Sequence, residues 1–321
     1  SLVEEEEIEA WAVTGLPVET FQKGKAIRRG AKEALEGDHR FVLNGGQERH
    51  ARIHVVMVLM EGAGGLIAQG LDGDEVRQAI LDMGGRTTDG VATEGQDPIR
   101  HLCGTLARGV EDSKEMLSRF VENDKRYKRA LRAEETETIL RTHIRLKAIL
   151  GLLSQKMYHQ PLSDLTPDQF EHVLRMQQTN VARALAEQLK ITEADIRILA
   201  QESLLENLCL QDLEVRYRIL YARGTEILPI DLYTWTEKSL RSVGKDIASF
   251  ASQLWRVGES GEVATDNALV LAAGGGAYYY LEDMRELIPE INMCERPELA
   301  NAAGYANFAY SALLEEMGIL V

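Results

Sequence analysis

Three glycine-containing segments place carboxylates and backbone N–H groups where phosphate chemistry could be done. The first is Leu81-Asp82-Met83-Gly84-Gly85-Arg86-Thr87-Thr88-Asp89. A buried strand that ends in Asp and turns through two glycines sets a carboxylate beside N–H groups able to approach a phosphate, and threonine hydroxyls add donors. A carboxylate there suits a hydrated Mg²⁺, which takes oxygen ligands and keeps several waters. A strand with a Gly-Gly turn is by itself an ordinary hairpin. The order Asp-x-Gly-Gly-x-Thr-x-Asp sets this one apart.

The second segment is Gly274-Gly275-Gly276-Ala277, where a strand feeds a helix. Backbone can come close to a ligand there, and the helix start points partial positive charge at it. The spacing is neither the dinucleotide fingerprint nor a Walker loop, because GxGxxG and GK[ST] are both absent. The third is Met60-Glu61-Gly62-Ala63-Gly64-Gly65, after the most apolar run in the chain. A carboxylate at a strand end can orient an attacking water, although Glu61 alone equally fits a solvated loop.

These segments need strands and helices to hold them. Residues 1 to about 110 read as alternating strands and helices. Glu9 to Thr14 is a short strand closed by Gly15-Leu16-Pro17, the stretch to Leu35 is helical, and Phe41-Val42-Leu43 is a strand before Gly45-Gly46. Ile53 to Leu59 is nearly continuously apolar, as expected of a strand covered on both faces. Ala79 to Asp82 and Asp89 to Thr93 complete the set. From Val110 to Trp255 helical periodicity takes over, which predicts a helical subdomain. Thr166-Pro167-Asp168-Gln169 and Thr192-Glu193-Ala194-Asp195 carry helix-start signals, and Leu240, Val243, Ile247, Phe250 and Leu254 form an amphipathic stripe. Ala268 to Ala272 restores a strand, with helices from Ala277 toward Leu287 and from Pro297 to about Met317.

The 321 residues are 45% hydrophobic and carry 36 Lys and Arg against 51 Asp and Glu. The net charge of −15 argues against a broad grip on a nucleic-acid backbone or an anionic membrane. No run approaches the roughly 20 apolar residues that span a bilayer, so a cytoplasmic protein is expected. Cys103, Cys209 and Cys294 have no CxxC spacing and read as small buried side chains. His50 and His54 fall in a strand pattern, which does not suit a helical zinc pair. Lys125 to Arg132 holds five basic residues in eight, read as a solvated helix face, or else as a contact with an acidic neighbour or part of a ligand wall.

In this order the segments resemble the actin, sugar-kinase and heat-shock-chaperone ATPase superfamily. Asp82 to Asp89 is similar to its second phosphate-binding hairpin and Gly274 to Ala277 to its adenosine turn. The finer resemblance is to actin-like proteins of the ParM type. Val13-Thr14-Gly15-Leu16-Pro17 is similar to the strand-plus-Leu-Pro segment, and Met60-Glu61-Gly62 lies where that type carries a water-orienting Glu. Cys103-Gly104-Thr105 with Arg108-Gly109-Val110 resembles the connection after the hairpin, and Glu298 to Tyr305 the closing Asn-Gly-Tyr-like helix.

The resemblance implies an α/β, actin-like (ribonuclease H-like) two-domain ATPase fold. Residues 1–76 would be the remaining part of domain I, residues 77–299 domain II with an enlarged helical insertion at about 126–232, and residues 300–321 a C-terminal helix returning to domain I. It implies binding of ATP/ADP and Mg²⁺, polymerisation with polymer-stimulated hydrolysis, and a role in plasmid segregation or a related cytoskeletal task. Glu61 and Asp82 would be catalytic, with Asp82 holding Mg²⁺ through water. Gly84, Gly85, Arg86, Thr87, Thr88, Gly109, Gly274, Gly275, Gly276 and Ala277 would contact nucleotide. Expected partners are copies of the chain and a small DNA-binding adaptor, with no direct nucleic-acid or membrane contact. The family's first phosphate loop has no counterpart after Ser1, so the chain is expected to be a piece of a longer protein. The alternatives are an actin-fold scaffold with vestigial hydrolysis, which binds a partner through the insertion, and a sugar or acetate kinase relative.

Overall fold

In the computed structural model, residues 7–43, 46–70, 77–95, 97–127, 129–179, 182–203, 205, 208–221, 224–227, 230–255 and 269–319 are described. The chain divides into two units, Ser1–Glu111 with Val243–Val321, and Asp112–Ser242.

The first unit is α/β. Its three-stranded sheet has the order β1 (Glu7–Leu16), β3 (Gln47–Met60), β2 (Gly37–Leu43), with β1 parallel and β2 antiparallel to the central strand. Helices α1 (Val18–Gln22) and α2 (Lys25–Leu35) connect β1 to β2, and α3 (Ala63–Ala68) follows β3. The apolar run of β3 is not covered on both faces as expected: Val55 is 3% exposed but Met57 42%. Three strands with short helices leave one face partly open, and apolarity alone does not report that.

The second sheet of this unit pairs β4 (Arg77–Met83) with β5 (Thr88–Glu94) as an antiparallel hairpin. Strand β10 (Leu269–Ala273) lies parallel to β4, with β11 (Asn292–Met293) beyond it. The short strands β6 (Asp97–Pro98) and β7 (Gly104–Leu106) both pair with β5. Eleven of the fourteen residues of β4 and β5 are buried, which explains their lack of polar alternation. Helices α10 (Ala277–Arg285) and α11 (Ala300–Glu316) complete this unit at the C-terminal side.

The second unit is built from α4 (Val110–Asn123), α5 (Ala133–Tyr158), α6 (Pro167–Thr179), α7 (Ala182–Leu189), α8 (Glu193–Glu202) and α9 (Ile230–Leu254), of which α4 and α9 begin or end in the first unit's residues. On α5, Ile139, Leu146, Ile149, Leu150 and Leu153 recur at helical spacing and are all at most 1% exposed, forming the spine of its core. The expected cap at Thr166 forms, with Gln169 N–H donating to Thr166 Oγ1 and Thr166 N–H to Gln169 Oε1. The acidic helix start at Thr192 turns out to be a capping box as well, with Asp195 N–H on Thr192 Oγ1 and Thr192 N–H on Asp195 Oδ2. Leu240, Val243 and Ile247 are buried as their stripe predicts.

Two expectations fail in this unit. Strands β8 (Arg218–Tyr221) and β9 (Gly224–Ile227) form a hairpin inside sequence read as helical. The basic run is not a helix face but the connection between α4 and α5. Arg126 pairs with Asp124 and Asp231, Arg129 with Glu135, and the Arg132 backbone caps α5 through Glu135. Lys128 lies outside the described residues. A basic run flanked by acidic side chains neutralises them within its own unit, and charge counting along the sequence cannot see those partners.

Candidate functional site: a carboxylate cluster between two glycine turns

The first unit brings together segments far apart in sequence. Asp82 and Asp89 stand opposite each other across the β4–β5 ladder, so their side chains share a face. Ala273 pairs with Asp82, which sets the Gly274 turn against the end of β4. Gly274 has φ +78°, and a Cβ there would meet the Met83 carbonyl and, at 2.6 Å, Asp82 Oδ1. Only glycine fits both the left-handed backbone and the approach. Gly276 N–H donates to Met83 O at 2.8 Å, locking the turn to the hairpin.

The hairpin turn is closed by Gly84 N–H to Thr87 O at 2.8 Å. Its outward carbonyls are consumed by the start of α4: Val110 N–H donates to Gly84 O and Glu111 N–H to Gly85 O. Gly109 packs on this turn, and a Cβ would lie 2.6 Å from Gly84 O. Among the described residues the amides of Gly85, Arg86 and Thr87 have no backbone carbonyl partner, and Gly85 and Arg86 are exposed. Such a turn offers N–H groups to an anion. The threonines differ from one another: Thr88 is fully buried with its hydroxyl on Arg108 O at 3.0 Å, and Thr87 hydrogen-bonds Asp89. In the second turn Gly274 and Ala277 N–H are also committed, to Pro297 O and Gly274 O.

Glu61 stands at the end of β3, its N–H on Leu16 O at 2.8 Å. Burial, then the charges of Asp89 and Asp82, push its carboxyl up to about 7. Burial and Asp89 push Asp82 up to about 6, against a hydrogen bond from Asn301. Asp89 is raised by burial, opposed by Thr105, the Val18 N–H and Thr87. The Val18 contact, 3.0 Å to Asp89 Oδ1, explains the Leu16-Pro17-Val18 segment: a proline-started helix presents its first free N–H to the carboxylate. Among the described residues no Lys or Arg is ion-paired with any of the three acids.

Three half-buried to buried acids, all raised chiefly by burial, with Asp89 also raising Asp82 and both raising Glu61, and with no Lys or Arg ion partner among the described residues, suit a hard divalent cation. No group of three among the described residues is close enough to cage an ion directly, so a cation here would keep waters or phosphate oxygens as ligands. Two residues the sequence reading quoted without a role complete the site. Asn301 Nδ2 donates to Asp82 Oδ2 at 2.5 Å, while its Oδ1 accepts Gly62 N–H at 3.2 Å and Gly65 N–H at 3.1 Å. Tyr305 donates to Met60 O at 3.2 Å. The Asn-Ala-Ala-Gly-Tyr string was the available signal. By contrast, His54 turns to Glu9 at 2.9 Å and stacks on Trp11, as a strand histidine does.

This architecture is the actin-like fold. Residues 2–64 match the family Actin like proteins N terminal domain. Ta0583, an archaeal actin homolog, in its complex with ADP, superposes with a TM-score of 0.58 at 17% identity over 95% of this chain and 73% of that one. A subunit of a 15-stranded ParM filament from Clostridium botulinum gives 0.55 at 17% over 93% and 66%. Bacillus thuringiensis ParM with ATP gives 0.51 at 14% over 98% and 69%. No curated protein matches the chain. No helix among the described residues is long and apolar enough to cross a membrane.

Proposed function

We propose that the chain is an actin-like, nucleotide-binding, filament-forming ATPase of the ParM type, with residues 1–76 belonging to domain I, 77–299 to domain II and 300–321 to a helix returning to domain I. The observation that carries this reading is the convergence of Asp82, Asp89 and Glu61 between the Gly84-Gly85 and Gly274-Gly275-Gly276 turns. ADP and ATP occupy the archaeal and Bacillus thuringiensis proteins of this fold, which supports the same ligand class here.

In this reading the free amides of Gly85, Arg86 and Thr87 hold phosphate oxygens, and the Gly274 turn lets adenosine approach β10 closely. Mg²⁺, when bound, would neutralise phosphate charge, held through water by Asp82. Glu61, half-buried with a carboxyl that titrates near neutrality, is suited to hold the lytic water and take its proton. No covalent intermediate is required, since positioning and charge neutralisation carry phosphoryl transfer. Copies of the chain and a small DNA-binding adaptor are the proposed partners, in the cytoplasm, for plasmid segregation or a related cytoskeletal task.

Fluorescent ADP binding, light scattering and phosphate release, each with ATP and Mg²⁺ where needed, test the reading. The wild type should bind, scatter and hydrolyse, and Asp82→Ala should lose all three. Wild-type protein that binds no nucleotide would sink the reading; binding without hydrolysis would leave the scaffold alternative.

A further inference from the structure

We propose that Asn301 is a positioning residue that sets Asp82 and Glu61 in register for the cation-bound nucleotide; this rests on the nucleotide-binding reading above. One amide side chain joins three segments. Its Nδ2 holds Asp82 Oδ2 at the end of β4, and its Oδ1 gathers the N–H groups of Gly62 and Gly65 in the turn directly after Glu61. All three hydrogen bonds require an amide, because a single group must donate at one end and accept twice at the other.

The consequence is an assigned role for each Asp82 oxygen. Oδ2 is occupied by Asn301, whereas Oδ1 lies against the Gly274 backbone, where any larger residue would cover it. Without Asn301 the carboxylate is free to rotate about its terminal torsion, which is broad and weakly restrained. Gly62, at φ +91°, packs near Asp82 as well: a Cβ there would sit 3.7 Å from Asp82 Cβ. The turn that carries Glu61 is therefore in contact with the strand end it must act beside. Asn301 is itself fixed, since the Gly64 Cα lies against its backbone and the Tyr305 ring one helical turn on. A polar residue held this firmly, at the fulcrum of two acids, fits the part of an outer partner that orients a ligand-bearing carboxylate.

The test uses the full chain and a fluorescent ATP analogue, with Mg²⁺ titrated against an EDTA baseline, beside steady-state phosphate release and nucleotide-free melting. Asn301→Ala should raise the Mg²⁺ concentration for half-maximal tightening by about 10- to 100-fold and lower kcat similarly. KM for nucleotide should move far less, because the phosphate amides are untouched. Asn301→Ser, whose hydroxyl is too short to span both partners, serves if the alanine variant does not fold, and should show the same split. A residue needed only for folding would lower Tm and leave the Mg²⁺ midpoint and kcat of the folded protein at wild-type values, and that result overturns the proposal. Wild-type protein without nucleotide binding overturns the functional reading and this inference together, whereas a binding wild type with unaltered variants overturns the inference alone.

Discussion

Gly304 on α11 lies so close to Gly64 on α3 that a Cβ on Gly304 would overlap the Gly64 carbonyl oxygen. The two glycines let the last helix reach the turn that follows Glu61, and with it bring Asn301 to Asp82.

Gly304→Ala is therefore expected to destabilise the chain by about 3 kcal/mol, the upper end of ordinary overpacking, since backbone stands in the way. Gly30→Ala on α2 meets nothing within 4 Å and should instead stabilise by about 0.5–1 kcal/mol. Thermal melting of the two variants side by side checks both signs.

The Gly274 turn gives a second contrast. Gly274→Ala forces an L side chain to φ +78° and into Met83 and Asp82, so folding and nucleotide binding should both suffer. Gly275 has open space, so Gly275→Ala should melt like the wild type. Equal losses in the two would show that the turn is not held as described.

The acids at the site impose a pH dependence whose sign is unusual for carboxylates. Asp82 rises from 3.8 to about 6 and Glu61 from 4.5 to about 7. A raised folded-state value means that the native state binds more protons than the unfolded one, so stability present below about pH 4 is lost as pH rises toward 7. Nucleotide-free protein should thus melt lower at pH 8 than at pH 5 on account of these groups. Asp82→Asn should flatten the slope between pH 4 and 7, and Mg²⁺ with nucleotide should offset it. Melting curves across that range, with and without ligand, decide the matter.

The helical unit should respond in the opposite direction. His143 is 1% exposed, its Nε2 2.7 Å from Glu237 Oε2 and its Nδ1 on the Tyr217 hydroxyl; Lys147 lies 3.1 Å from Glu237 Oε1. Burial pushes Glu237 up, but the hydrogen bond and charge of His143 and those of Lys147 bring it down to about 2. Its contribution is present above about pH 4.5 and lost as pH falls toward 2. Glu237→Gln should remove this acid sensitivity and cost on the order of 2 kcal/mol at neutral pH, because a buried partner is left without its anion. Acid titration of the helical CD signal, compared between wild type and variant, provides the measurement.

In the proposed function, hydrolysis would separate the role of Glu61 from that of Asp82. Glu61→Gln should keep nucleotide affinity within a few-fold while kcat falls about 10² to 10⁴, the usual contribution of a general base. A Glu61→Gln protein with unchanged phosphate release would remove Glu61 from the chemistry.

Much of the site was legible because its signals are local. Asp82 and Glu61 end apolar strands, and glycines follow each, so strand, turn and carboxylate could be read from one short window. The Gly274 turn was legible for the same reason. Asp89 was quoted within its motif but not chosen as a site residue, since its value comes from Val18 and Thr105, which reach it from other segments. Asn301 lies 219 residues from Asp82, and no periodicity encodes that pairing. The β8–β9 hairpin was hidden by helical periodicity on both sides, although Arg218-Ile219-Leu220-Tyr221 and Gly224 carried a strand-and-turn pattern. For β3, apolarity indicated a strand and overstated its burial, because the number of covering layers is a property of the sheet and not of the strand.

The bond from Asn301 to Asp82 also sets an order of events during synthesis. The hairpin, the Glu61 turn and the Val18 contact all belong to the first 111 residues and can fold while translation continues. The amide that joins them emerges some two hundred residues later, after the entire helical unit. Closing so long a loop is slow relative to local folding, because its entropy is lost before the contact forms. Until residue 301 has emerged, the Asp82 carboxylate and the Gly62 and Gly65 amides lack the one side chain that joins them in the finished fold.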